Sequence, residues 1–270
     1  MSDARSVTSR DGTTIAFERT GEGPPVVLVA AALSDRSDAR KLAELLAPRF
    51  TVINYDRRGR GASGDTPPYA VERECEDIEA LVKEVGGSAC LFGSSSGAVL
   101  ALEAAARGAG VERLALFEPP FVVSDRLAPQ TEDLADRVGE ALGSGRRGEA
   151  VALFMNRAVG VPTAGVRMMR LMRRTWRNLE AMAHTIPYDL AIMDGYRGGG
   201  PLPAERWASV GVPTLVLDGA KSPEHLRAAA SALADALPNA QHRTLKGVSH
   251  ASVVMTPRKL APTLQRFFVA

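Results

Sequence analysis

The sequence predicts an α/β fold: a mostly parallel central sheet flanked by helices and interrupted once by a helical block. Three observations carry that expectation. Short apolar runs without alternation recur through the first 117 residues, helix-spaced stretches separate them, and the same pattern returns after residue 210. A strand covered on both faces reads as a continuous apolar run, and joining such strands in parallel requires helical crossovers. The expected division is one core, contributed by residues 1–121 and 211–270, with residues 122–210 forming a helical lid.

Residues 6–19 read as two short strands about Asp11-Gly12, a dipeptide that tolerates the positive φ of a tight hairpin turn. Val26-Val27-Leu28-Val29 is an interior strand by its unbroken apolar character, and Leu42, Leu45 and Leu46 mark the helix after it. A strand over residues 51–55 leads into the polar, glycine-rich turn of residues 56–64. A helix over 71–85, a strand over 89–92, a small-residue helix over 96–107 and a strand over 114–117 follow, the last ending at Glu118. Helical stretches near 132–142, 148–158 and 166–182 then replace the strand signal, with Gly198-Gly199-Gly200-Pro201 near the exit. A strand over 214–218, a helix over 223–237, a strand over 241–245 and a helix ending near Phe268 complete the pattern, and no internal repeat is visible.

Apolar residues at 45% and charged residues at 24% supply enough hydrophobic side chain for one core, which excludes a disordered chain. Net charge is only +2, with Lys and Arg interspersed among Asp and Glu, so nucleic acid is not an expected partner. The five arginines between Arg167 and Arg177 read as the solvated face of a lid helix. Cys75 and Cys90 lack the spacing of a disulfide framework or a metal site, so no metal is expected and a reducing cytoplasm fits. The polar first ten residues and the brevity of the longest apolar run, 26–33, argue against export and membrane insertion.

Gly93-Ser94-Ser95-Ser96-Gly97 matches G-x-S-x-G where that pattern has a mechanical meaning, with an apolar strand entering and a helix leaving. A side chain on such a strained turn projects above the sheet, and the flanking glycines let the backbone pass. Ser95 is therefore the expected nucleophile. Ser96 opens the helix and is an expected oxyanion donor through its backbone N–H. His250, in Gly247-Val248-Ser249-His250 beyond the last strand, is the expected base; His184 falls in the lid, His225 at a helix start and His242 in a strand.

Through these motifs and Asp56-Arg57-Arg58-Gly59-Arg60-Gly61-Ala62-Ser63, the chain resembles the α/β-hydrolase superfamily over essentially its whole length. The resemblance implies a second oxyanion donor after the third strand, where Ala32 in Ala30-Ala31-Ala32 occupies the position. It also implies a turn reading G-x-x-D after residue 218, but the chain reads Gly219-Ala220-Lys221-Ser222. A neutral hydroxyl cannot stabilise an imidazolium as a carboxylate does. Glu118 is the favoured acid because it ends a strand at the same sheet edge as Ser95 and has the longer reach. Asp218 is its rival, and a site without a functional acid stays open. Phe117-Glu118-Pro119 is similar to the zearalenone-type lactonases, whose acid is a glutamate at this place. Some haloalkane dehalogenases place a glutamate similarly, but their aspartate nucleophile is a serine here.

The expected activity is hydrolysis of a small ester or lactone with an apolar portion, through an acyl-enzyme on Ser95 and without a cofactor. Phe121, Phe154, Met155, Met172, Trp176 and Tyr188 are candidate pocket residues, with Met168 and Met182 as further apolar lid positions. A homo-oligomer is compatible with the sequence. Two alternatives remain: a non-hydrolytic binding protein or receptor, favoured by the absent G-x-x-D acid, and a cofactor-free perhydrolase, lyase or C–C hydrolase using the same Ser-His pair.

Overall fold

In the computed structural model, which describes residues 3–124 and 133–270, Gly12 takes φ 88° in the turn between antiparallel strands β1 (Asp3–Thr8) and β2 (Thr14–Thr20). The remaining strands are β3 (Pro25–Val29), β4 (Thr51–Tyr55), β5 (Ala89–Ser94), β6 (Val111–Phe117), β7 (Thr214–Gly219) and β8 (Ala240–Leu245). They form one sheet in the order β1-β2-β4-β3-β5-β6-β7-β8, parallel from β4 onward.

Five helices flank the sheet: α1 (Arg36–Leu46), α2 (Val71–Glu84), α3 (Ser96–Ala106), α9 (Glu224–Ala236) and α11 (Pro257–Val269). Side chains alternate across a strand. Val27 and Val29 therefore join Ile78 of α2 and Leu100 of α3 in one core, while Val26 and Leu28 join Leu42 of α1 and Leu264 of α11 in the other. Both faces of the sheet are covered, which is why these strands read as unbroken apolar runs.

Between β6 and β7 lie α4 (Leu134–Gly143), α5 (Arg147–Arg157), α6 (Thr163–Leu171), α7 (Arg173–Met182), a 3-10 turn (Ala183–Thr185) and α8 (Ile186–Ile192). This block has its own apolar cluster, with Leu33 of the sheet edge packed into it beside Val138, Phe154, Trp176 and Ile186. The predicted start of its first helix, residue 132, lies outside the described residues. The single helix expected over 166–182 is two helices, because Met172 at ψ 69° turns the chain between α6 and α7. The seven-residue α8 and the four-residue α10 (Ser252–Met255) were not expected; each is too short to show a helical period.

The register sets the site. Ser94 pairs with Phe117 and Phe117 with Leu217, so the strands β5, β6 and β7 end level. Ser95, Glu118 and Asp218 therefore leave the sheet at one edge. Among the described residues no helix is long and apolar enough to cross a membrane.

Candidate active site

Ser95 sits between β5 and α3 at φ 55°, ψ −126°, a conformation that costs a non-glycine residue about 1–3 kcal/mol. The neighbours enforce it. A Cβ on Gly97 would fall 2.4 Å from Ala30 O and 2.5 Å from Val29 O, and one on Gly93 would fall 2.4 Å from Gly97 O. The elbow is thus pressed against the end of β3, and only glycine fits on either side of it. Ser95 N donates to Phe117 O at 2.9 Å, tying the bend to β6.

Glu118, the next residue after β6, also has positive φ, at 49°. Its buried carboxylate is bidentate in use: Oε1 accepts from Gly219 N at 2.7 Å and Oε2 meets His250 Nδ1 at 2.6 Å. A proton on Nδ1 shared with a carboxylate leaves Nε2 as the basic nitrogen of the ring. The loop bearing His250 crosses close over β7, since a Cβ on Gly219 would lie 2.3 Å from Val248 O. Asp218 is oriented elsewhere. Its Oδ2 engages His242 Nε2 and accepts from Thr244 Oγ1 at 3.2 Å, both on β8, so its carboxylate serves the sheet and not the His250 loop. Ser222, at the position of the missing acid, is buried.

Ser95 and His250 line one cavity of about 240 Å³, together with Ala32 and Ser96. Ser96 is the first residue of α3, where backbone N–H groups lack intrahelical partners. The Ala32 amide is aimed by its own peptide plane. Arg60 Nη1 donates to Ala31 O at 2.6 Å, and in a trans peptide the N–H points opposite to the C=O, so Ala32 N–H faces away from Arg60.

Of the pocket residues expected from sequence, Phe154 and Met155 of α5 line the cavity, and the other four do not. Phe121 is buried against Tyr196 and Trp207, with ring centroids 5.1 and 5.5 Å away. Met172 is 57% exposed at the α6–α7 break. Trp176 packs inside the helical block and donates to Glu180 Oε1 at 2.9 Å. Tyr188 stacks on Tyr69 at 3.9 Å and donates to Asp65 Oδ2 at 2.8 Å. Met168 is exposed and Met182 belongs to the core of the block. The bend at Met172 turns these helices so that their apolar sides pack together or face outward.

Among the cavity residues that the sequence did not mark as site residues are His225, Arg197 and Asp189. His225, at the second position of α9, is half-buried, and burial together with the nearby His250 lowers its pKa. Arg197 follows α8, and Asp189 lies within it. Asp189 is the centre of a buried ion cluster. Its Oδ1 accepts from Arg57 Nη1 at 2.9 Å and from Ser96 Oγ at 2.7 Å, and its Oδ2 accepts from Arg60 Nη2 at 2.6 Å. Arg57 also forks onto Glu74, with both contacts at 2.7 Å. Burial by itself would raise the pKa of Asp189, but the charges of Arg60 and Arg57 outweigh it and hold the carboxyl below its ordinary value. The turn that reads as merely polar and glycine-rich is thus a buried clamp joining the helical block to the elbow. No local signal in the sequence pairs Asp189 with it.

No group of three or more His, Cys, Asp and Glu side chains among the described residues is arranged to hold a metal. The cavity brings together a strained serine, a carboxylate-oriented imidazole and the residues Ala32 and Ser96.

Residues 20–263 match the model of the alpha/beta hydrolase family. The structure superposes on the crystal structure of an alpha/beta hydrolase from Sphaerobacter thermophilus with a TM-score of 0.90 and 52% identity, covering 98% of this chain and 100% of that one. The enol-lactonase from Burkholderia xenovorans aligns with a TM-score of 0.74 and 22% identity, covering 98% and 100% of the two chains, a likeness of fold alone. An uncharacterized hydrolase of Bacillus subtilis, YraK, is 35% identical over 96 residues, which are 34% of this chain and 35% of that relative's length.

Proposed function

The chain belongs to the alpha/beta hydrolase family, and on that premise we propose that it is a serine hydrolase of carboxylic esters or lactones working through Ser95, His250 and Glu118. The observation that carries the reading is the 2.6 Å contact between Glu118 Oε2 and His250 Nδ1, made at the cavity that Ser95 enters. With a carboxylate on the imidazole, the serine in the Gly219 turn no longer argues for an inert pocket.

His250 Nε2 removes the proton from Ser95 Oγ as Oγ attacks the acyl carbonyl, and the tetrahedral oxyanion is held by the amides of Ala32 and Ser96. Collapse expels the alcohol, protonated by His250, and leaves an acyl-enzyme. Water, deprotonated by the same ring, then releases the acid. Glu118 keeps Nδ1–H in place and stabilises the imidazolium throughout. Residues 122–210 act as a lid, since α5 supplies Phe154 and Met155 to the cavity, and this apolar wall suits a substrate with an apolar portion. The buried, unpaired thiols of Cys75 and Cys90 favour a reducing, cytoplasmic setting.

The test is a panel of p-nitrophenyl esters and aromatic lactones with wild type and Ser95→Ala, joined by labelling with a fluorophosphonate probe. Turnover and labelling by wild type, both lost in Ser95→Ala, are expected. Wild type as inert as the variant in both assays would overturn the proposal.

A further inference from the structure

Arg197 is a cation on the cavity wall that the acyl chemistry does not use. It lines the same cavity as Ser95 and His250 and is half-buried. Its Nη2 donates to Leu190 O at 2.7 Å, closing the last turn of α8. A guanidinium presents five N–H donors in a planar fork, so the described residues leave most of this one without a partner. No carboxylate among the described residues is in ion-pair contact with it. Burial lowers its pKa, and only the exposed Asp194 pushes the other way.

The other charges at the cavity are differently placed. Asp189 is neutralised by Arg57 and Arg60. Burial raises the pKa of Asp38, at the start of α1, favouring its neutral form, with a hydrogen bond from Ser34 opposing that and the charge of Asp35 adding to it. His225 is shifted toward neutrality by burial and by His250. Leu190, Met193 and Val122 are among the apolar residues that line the same cavity as Arg197. A half-buried cation is screened less than one in open water, and a planar fork matches a carboxylate in two parallel hydrogen bonds.

We infer that Arg197 binds a carboxylate carried by the substrate, so that the natural substrate is an acidic ester or lactone, with its reacting carbonyl at Ser95 and its charged end at Arg197. This rests on the serine-hydrolase reading and narrows its substrate class to half-esters of dicarboxylic acids and carboxylate-bearing lactones.

The test is calorimetric binding to Ser95→Ala, which needs no turnover. The probes are the monomethyl and dimethyl esters of succinate, glutarate and adipate, so that at least one length spans the two ends. For the best length, the monoester is expected to bind at least about tenfold more tightly than its uncharged diester, the scale of a charge-assisted hydrogen bond at a partly buried site. Adding Arg197→Gln should bring that ratio close to one, and adding Arg197→Lys should leave it between the two. Equal binding of monoester and diester at every length in Ser95→Ala would overturn the assignment, and this comparison needs no variant at Arg197. A ratio unchanged by Arg197→Gln, in a variant whose melting temperature shows it folded, would overturn it as well. Turnover of p-nitrophenyl butyrate by wild type reports on the hydrolase reading separately, so failure of either inference is recognisable by itself.

Discussion

Glu118 and His250 stand 132 residues apart in the chain and meet at 2.6 Å, the carboxylate delivered by the end of β6 and the ring by the loop after β8. The second oxygen of Glu118 holds Gly219 N, so the acid is anchored to the very turn in which an acid was expected and a serine stands.

Exchanging the two candidate acids separates their roles. Glu118→Gln is expected to lower kcat on p-nitrophenyl esters roughly 10³- to 10⁴-fold, the loss typical when an imidazole is left without its carboxylate. Asp218→Asn should leave kcat within a few-fold while lowering the melting temperature, because its contacts are to His242 and Thr244. The opposite ranking in steady-state kinetics would transfer the role to Asp218.

Asp189→Ala should be among the most destabilising single changes in the chain. It strips Arg57 and Arg60, both buried, of a shared counter-ion and leaves Ser96 Oγ without its acceptor. Breaking a buried pair from one side costs about 3–5 kcal/mol. Urea unfolding of wild type and variant measures this, and a difference under about 1 kcal/mol would show that the cluster contributes little.

Acid should weaken the attachment of the chain that returns to β7. Glu103 of α3 accepts from Tyr196 Oη, Arg206 Nε and Nη2, and Trp207 Nε1 at 2.8–3.0 Å. Burial opposes its ionisation, yet the hydrogen bonds from Arg206, Trp207 and Tyr196 and the Arg206 charge prevail and lower its pKa. A carboxyl lowered on folding contributes stability that is complete above its ordinary value of 4.5 and is lost as pH falls through the lower folded value. Glu103→Gln should therefore be less stable than wild type near neutral pH, by a margin that shrinks under acid. Denaturant titrations at neutral pH and below about pH 4 check this; a margin independent of pH would refute it.

Gly97→Ala adds one methyl group 2.4 Å from Ala30 O. The contact is with backbone at the end of β3, so relief requires moving either the elbow or the Ala30-Ala31-Ala32 loop. We expect a loss of about 1–3 kcal/mol in stability and a fall in kcat larger than the change in KM. Full activity in a variant of unchanged melting temperature would show that the packing here is looser than it looks.

The parts legible in the sequence were those written in consecutive residues. Val26-Val27-Leu28-Val29 announced a doubly covered strand, Gly93 to Gly97 announced a bend into a helix, and both lie where expected. Pocket composition was less legible. Phe121, Met172, Trp176 and Tyr188 have the size and character of pocket residues, but which way each faces depends on the break at Met172 and on how α8 docks.

By itself, then, the sequence determined the succession of the strands and of the five helices that flank them, the strained serine and the loop that carries the histidine, because backbone geometry and apolar burial act over a few neighbouring residues. Tertiary structure alone decided that Glu118 and not Asp218 faces His250, and that Asp189 clamps Arg57, Arg60 and Ser96. It also decided that Arg197 lines the cavity with no carboxylate among the described residues in ion-pair contact. These outcomes depend on sheet register and on the seating of a helical block more than a hundred residues away from some of its partners. Charges at such separations acquire their energies only when burial removes the water between them.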